Sequence, residues 1–451
     1  MSHPIVQAVR EAGVVGAGGA GFPTHVKLSS QVDLVIANGA ECDPLLASDQ
    51  RLMERHARQI VEGLRLAMES TGAGRGVVAL KRAYTRAVQA LERAIARVPD
   101  IELHLLESIY PAGDEFVLVY QVTGRVIPET GLPLQVGCLV QNVGTLLQVA
   151  EAMKGVPVTH RAVTVAGEVR EPQVFWVPIG TSIQHLLEQA GGLTMPQEDV
   201  GVILGGPMMG HLAPSLDEVV RKTTTGVLAL PRNTATVRSL SRPLGSWVRR
   251  GRSTCDQCRD CTDLCPRYLL GHNFRPHEVM RAINYGLTDR PDVITGAVMC
   301  CECRLCEAYA CPLDLSPMAV YVQIKAQLRD AGWKNERHKR WDLAPHPFRE
   351  HRQVPTRRLV ARLGLTAYEH QDLPFRSRPL TPPEVRIPLQ QHIGAPAVPV
   401  VREGQEVSLG DLVGEIPEGK LGARVHASIP GTVVKVDPGS VTLRAATRRA
   451  K

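Results

Sequence analysis

The sequence predicts a multi-domain α/β and α+β protein with an all-β module at its end, and three observations predict it. Short apolar runs alternate with helical stretches over residues 1–155. Two groups of four cysteines crowd into 236–335. Valine-rich segments broken by glycine and proline fill 381–449. The 451 residues leave room for about three or four domains.

In the first region Asp33–Ala37 and Val77–Leu80 read as buried strands, and Gln50–Met68 and Ala83–Val98 as helices with apolar residues at helical spacing. That alternation predicts a layered α/β domain with parallel strands over 1–155. Texture changes at 156–235. There Ala162–Val169 and Gln173–Pro178 read as strands, and Thr181 as the cap of a helix Ile183–Ala190 that Gly191-Gly192 ends. A small α+β module follows from that pattern. Residues 236–335 are helical around their cysteines, 336–380 form a basic Arg/Pro/His-rich connector, 381–449 are all-β, and Arg448–Lys451 read as a frayed tail.

The chain carries a formal net charge of +7. Much of the excess lies in Arg337, Lys339, Arg340, Arg349, Arg352, Arg357, Arg358 and Arg362. No recognition motif or interleaved aromatic accompanies them, which excludes nucleic acid as the expected partner. The run reads as a solvated connector, with a docking strip for an acidic partner as the sharper alternative. No apolar run reaches the roughly 18 residues of a membrane span. Met1–Arg10 lacks a basic-then-apolar signal pattern. The expected location is therefore cytoplasmic, where eleven cysteines read as metal ligands rather than as a disulfide framework.

Those cysteines are spaced for iron–sulfur chemistry. The first group is Cys255-x-x-Cys258-x-x-Cys261-x-x-x-Cys265-Pro266; the second is Cys300-x-x-Cys303-x-x-Cys306-x-x-x-x-Cys311-Pro312. The first matches the bacterial ferredoxin run, and the second has one extra residue before its last cysteine. Three closely spaced thiolates on a curling backbone serve one cubane, and the fourth is conventionally lent by the other group. This assigns Cys255, Cys258, Cys261 and Cys311 to one 4Fe-4S cluster, and Cys300, Cys303, Cys306 and Cys265 to the other. Zinc would favour two separated Cys-x-x-Cys pairs. Cys301 adjoins a ligand but has the wrong spacing to Cys303. Cys42 and Cys138 read as small buried hydrophobes.

Near the N-terminus Gly13–Lys27 is dense in glycine, which lets backbone N–H groups approach a phosphate or a flat ring. No strand precedes it, as a dinucleotide fingerprint would require. Gly16–Thr24 resembles the FMN loop of the NADH-oxidising flavoprotein subunit of respiratory complex I. Asn38-Gly39-Ala40-Glu41, Gly113-Asp114-Glu115 and Gln141–Thr145 resemble further segments of that family, with Ala17 and Ala40 standing where it has Arg and Asp. By this resemblance Gly18, Gly19, Lys27, Asn38, Glu41, Glu115, Asn142 and Thr145 are the expected flavin contacts. No catalytic side chain is assigned.

Residues 162–192 look like the soluble-ligand-binding β-grasp (SLBB) module that follows such flavin domains. Pro388–Pro396 and Val401–Gly410 look like the barrel-sandwich module of the Rnf complex C subunit, without the Met-Lys-Met hairpin of lipoyl carriers. The order of parts, with flavin loop first and barrel-sandwich last, resembles the PduS-type cobalamin reductases of propanediol-utilisation microcompartments. That resemblance implies FMN, two 4Fe-4S clusters in a dicluster ferredoxin-like domain, NADH as donor and a corrinoid as acceptor. It further implies an adenosyltransferase and microcompartment proteins as partners, and a place inside a bacterial microcompartment. An Rnf-type protein passing electrons between NADH and ferredoxin, and a non-catalytic electron carrier or scaffold, are the alternatives.

Overall fold

A computed structural model describes residues 3–287 and 289–446; the last residues of the C-terminal region, 447–449, and the tail beyond lie outside the described residues. The N-terminal part is built on four parallel strands in the order Ile101–Leu106, Arg75–Lys81, Leu34–Gly39, Cys138–Asn142. Both faces of this sheet are covered. Val35, Ala37, Val78 and Leu80 face the helices Ser48–Thr71 and Val143–Ala152. Leu34, Ile36, Val77 and Ala79 face the helix Glu115–Thr123 through Leu118 and Val119. Double burial is why these strands read as unbroken apolar runs rather than as alternating ones.

The next part is a six-stranded mixed sheet in which Gln173–Pro178 and His160–Gly167 are joined by Gly226–Pro231, Val200–Leu204 and His211–Leu212. The helix Ile183–Gln189 packs on it through Ile183, Leu186 and Leu187. Its cap is Ser182, whose hydroxyl accepts from the His185 N–H; Thr181, the residue expected there, instead donates to the Pro178 carbonyl. The cysteine-rich part is helical, with a core of Phe274, Met280, Tyr321 and Ile324.

The basic stretch 336–380 is largely exposed, yet it laces the other parts together. Its Val354–Pro355 pairs with Ile109–Tyr110, and its Phe375–Arg376 extends the six-stranded sheet beside Gln173–Pro178. Arg349 lies over the Tyr120 ring, Arg352 pairs with Asp263, and Arg340 with Glu129. The arginines that read as a docking strip are in part consumed inside the molecule.

The C-terminal part forms two small antiparallel sheets, and it docks against the glycine-rich loop. The Ile393 N–H donates to the Gly21 carbonyl at 3.0 Å. Gly21 has φ +66°, which strains any residue with a side chain, and a Cβ there would crowd Thr223 at 3.0 Å and Gln391 at 3.4 Å. Beside it the buried Lys222 ammonium donates to the carbonyls of Gly13 and Arg424. Three parts of the chain meet on that one side chain. Lys435, on the strand Gly431–Asp437, is exposed and pairs with Asp437, as an ordinary strand residue does.

Candidate functional site

The principal cavity opens where two neighbouring parallel strands end. The chain enters the sheet at Leu34–Gly39, fills one side with Arg75–Lys81 and Ile101–Leu106, then returns to the other with Cys138–Asn142. The order of strands therefore reverses between Leu34–Gly39 and Cys138–Asn142, while the helices that follow them pack together on one face of the sheet. Open α/β sheets bind ligands in the crevice this leaves at the carboxyl ends. Asn38 and Asn142 are partners in register across that gap, and a cavity of about 750 Å³ opens beside them.

Gly18, Gly19, Asn38, Glu41 and Asn142 line it. The other three expected contacts stand behind the wall. Thr145 is fully buried, and its hydroxyl accepts the Ala17 N–H at 2.8 Å, bracing the loop. Lys27 pairs with Glu115 at 3.0 Å and also donates to the Val140 carbonyl. Glu41 spends its carboxylate on the start of the helix Ser48–Thr71, accepting from the Ser48 hydroxyl and from the Asp49 and Gln50 N–H groups. An anion belongs at that helix end.

Several lining residues were not legible as site residues. Asp43 reaches across to accept the Met208 and Met209 N–H groups at 2.8 and 2.9 Å, tying the six-stranded sheet's turn to the flavin side. Burial pushes its carboxyl up to about 6 against the pull of those two donors. Asp49 accepts from the Asn142 amide at 2.6 Å. Burial first, and the Glu41 charge second, raise it to about 7, with Arg161 and the Asn142 bond opposing. Cys42 also lines the cavity, its sulfur against the Gly113 N–H, and burial raises its thiol to about 11. Cys138 is a buried core residue. His211, Arg221 and Thr223–Thr225 form the opposite wall. Asp49 is at most an acid in a helix's first turn by sequence, and the far wall lies more than 150 residues from the glycine loop. A Cβ at Gly19 would meet nothing within 4 Å. Backbone facing open space, two amides at strand ends and this volume fit a flavin nucleotide.

The two cysteine groups pack beside this cavity. Cys255, Cys258, Cys261 and Cys311 line one small pocket, and the thiols nearest Cys261 in charge are those of the other three. Cys265 lies with Cys300, Cys303 and Cys306. Cys306 also feels Cys261, so the two sets are neighbours. Both triplets curl alike. The third and fifth positions are left-handed, Gln257 and Arg259 at φ 61° and 74°, Glu302 and Arg304 at 59° and 61°. That conformation is uncommon for such residues, and its repetition makes Cys300, not Cys301, the counterpart of Cys255. The extra residue of the second group is absorbed by a π-helical turn, Cys306–Ala310, the usual way a helix takes an insertion. Among the described residues no three His, Cys, Asp or Glu side chains converge as a single-ion site, and the four thiols of the outer set line one common small pocket.

The sets differ in position. Cys303, with Cys301, lines the 750 Å³ cavity, whereas Cys258 is exposed. A buried ion pair clamps the inner set to the flavin side: Arg267, two residues after Cys265, donates to both Asp114 oxygens at 2.6 and 3.0 Å and lies over Phe116. The Tyr110 hydroxyl donates to the Cys303 carbonyl at 2.9 Å. His272 is buried against the Ile127 carbonyl, and His277 lines the outer pocket beside Thr262.

Residues 9–151 match the family model of the Nuo51 FMN-binding domain, 162–211 the SLBB domain, 254–316 the 4Fe-4S dicluster domain, and 369–449 the RnfC barrel sandwich hybrid domain. Cobalamin reductase PduS of Citrobacter freundii is 43% identical over 98% of this chain and 96% of its own length. The chain belongs to the PduS cobalamin reductase family. The Salmonella typhimurium (strain LT2) PduS is likewise 43% identical, over 97% of this chain and 96% of its own length. The C subunit of the Na(+)-translocating ferredoxin:NAD(+) oxidoreductase complex of Acetobacterium woodii is 39% identical over 59% of this chain and 58% of its own length. As a member of the PduS family the chain is an electron-transferring oxidoreductase with FMN and iron–sulfur cofactors. Among the described residues no helix is long and apolar enough to cross a membrane.

Proposed function

We propose that this chain reduces cobalamin, passing electrons from NADH through FMN and two 4Fe-4S clusters to a corrinoid. The observation that carries the route is the shared wall: Cys303 belongs both to the inner cysteine set and to the cavity beside the glycine-rich loop. Nicotinamide gives up two electrons together and a cluster takes one, and flavin is the group that converts between them.

The chain's own residues supply position. Gly18, Gly19, Asn38 and Asn142 present backbone and amides to the flavin, while Thr145, Lys27 and Glu115 brace the loop and the strand ends behind it. Cys265, Cys300, Cys303 and Cys306 hold the inner cluster; Cys255, Cys258, Cys261 and Cys311 hold the outer one, whose exposed Cys258 marks the exit. Ferredoxin-type clusters reach potentials several hundred millivolts negative, low enough for cobalt reduction. The acceptor is either free corrinoid or corrinoid held by an adenosyltransferase, and the working division of the chain is 1–155, 156–235, 236–335, 336–380 and 381–449. A bacterial microcompartment is the setting that the resemblance seen in the sequence implies.

The test is anaerobic. NADH, the purified protein and hydroxocobalamin are mixed, with and without an adenosyltransferase, and the reduced corrinoid is followed by absorbance. Cobalt reduction that needs NADH and all eight cysteines supports the reading. Brisk reduction of a dye or of ferredoxin with no cobalt reduction replaces it with the ferredoxin-linked function.

A further inference from the structure

We propose that the Asp49 carboxylate is the group that takes the flavin's proton when electrons leave for the clusters. The inference rests on the functional reading above. Its chemistry starts from a mismatch of charge. A hydride from nicotinamide brings two electrons and one proton's worth of hydrogen to the flavin. The clusters accept only electrons, one each. Returning the flavin to its oxidised form therefore releases two electrons to the clusters and one proton to something else, and the cavity must hold a base for it.

Asp49 has the position. It lines the cavity and is buried. One oxygen accepts from the amide of Asn142, which itself stands at a strand end in the cavity wall. The groups that face it are a carboxylate and a guanidinium. Glu41, on the loop before the helix, binds the Asp49 backbone N–H. Arg161, on the strand His160–Gly167, reaches the Ala17 carbonyl of the glycine-rich loop and the Thr224 carbonyl of the opposite wall. Asn142 and Gln148, the polar neighbours from the helix side, are neutral. Burial and Glu41 favour the protonated acid while Arg161 and Asn142 favour the anion. These opposed influences leave a carboxyl that titrates near neutrality, at about 7, where a base of this kind is most effective.

Three other carboxylates of the wall are committed, and Glu218, on the far wall, is part exposed and 3.6 Å from Arg221. Glu41 caps its helix with three donors, Asp43 holds the Met208–Met209 turn, and Asp114 holds Arg267. Unlike Glu41, Asp43 and Asp114, Asp49 keeps an oxygen without a hydrogen-bond partner among the described residues.

The experiment uses the full-length protein with its cofactors and compares it with D49N and D49E. Infrared difference spectra, reduced minus oxidised, are recorded as the flavin is titrated. A carboxyl band that appears or shifts with flavin redox state, is lost in D49N and moves in D49E, supports the proposal. In rapid mixing, D49N should accept hydride from NADH within about twofold of the parent rate but pass electrons to the clusters at least tenfold more slowly at pH 7. It should also lose the pH dependence of that second step. A flavin-loaded D49N with the parent's band and pH profile overturns the proposal and leaves the electron route intact. If D49N fails to retain FMN, D49E decides: an unmoved pH profile overturns the assignment. A parent protein that binds no FMN overturns both the proton role and the route on which it rests.

Discussion

The Arg267–Asp114 clamp is the contact whose loss should separate the flavin side from the cluster side. The side chains are 8% and 13% exposed. Asp114→Asn is the informative change, because asparagine caps a helix as well as aspartate does and so keeps an acceptor for the Phe116 and Val117 N–H groups. What it removes is the charge opposite a buried guanidinium. Leaving one partner of such a pair alone costs ~3–5 kcal/mol. The Phe116 ring beneath Arg267 at 3.8 Å and one retained amide acceptor offset ~1 kcal/mol of this, so ~2–4 kcal/mol is the expected loss. At 1.4 kcal/mol per tenfold, local opening should become about 30- to 700-fold more frequent. Hydrogen exchange at the amides of 114–118 and 265–272 reads this directly, and avoids treating a multi-part chain as two-state. Arg267→Met on top of Asp114→Asn removes the orphaned charge and should recover ~1–2 kcal/mol. Exchange unchanged within threefold in Asp114→Asn, or a double variant as weak as the sum of the singles, would refute the reasoning.

Gly19→Val places a branched side chain at φ +112° and into open space of the cavity; FMN affinity, read by flavin fluorescence, should fall at least tenfold, and full occupancy would remove this loop from the site. Cys258→Ala should lower iron and acid-labile sulfide by about half or more, since the two groups exchange ligands, while Cys301→Ser should keep the full complement; equal losses in both would mean that the curl of the two triplets has been misread. Lys222 is held down to about 7 by burial. Above that value the unfolded chain keeps the proton that the folded chain gives up, so this residue makes the protein more stable as pH rises from 7 toward 10. Lys222→Met should flatten that rise in melting temperature, and a slope identical to the parent's would place the pH dependence elsewhere.

How far the sequence reaches depends on whether the signal is local. Val77–Leu80 is legible because a doubly covered strand must be apolar at every position. The cysteine groups are legible because one cubane needs its thiols within a few residues of each other, and even the irregular spacing before Cys311 turns out to be a one-turn adjustment. Ser182 beside Thr181 shows the limit of that locality: both hydroxyls suit a cap, and Ser182 takes the role because the Thr181 hydroxyl is spent on the Pro178 carbonyl. The strands Val200–Leu204 and Gly226–Pro231 escape notice because they pair with each other across an intervening loop and, through Gly226–Pro231, in parallel with His160–Gly167. So do the cavity's far wall, Asp43 on the Met208 turn, and the retreat of Lys27 and Glu115 behind the wall into a pair with each other. Asp43 and Lys27 find their partners 165 and 88 residues away, where no periodicity points.

The docking of Ile393 on Gly21 sets a schedule for making this protein. The backing of Gly21 is made about 370 residues after Gly21 itself. At roughly 5–20 residues per second that interval is about 20–75 s, during which the glycine-rich loop lacks the wall that holds it. Lys222 has a similar history, since one of its two carbonyl partners, Arg424, is made 202 residues after it. A ribosome that stalls between residues 21 and 393 releases a chain whose glycine-rich loop lacks that support.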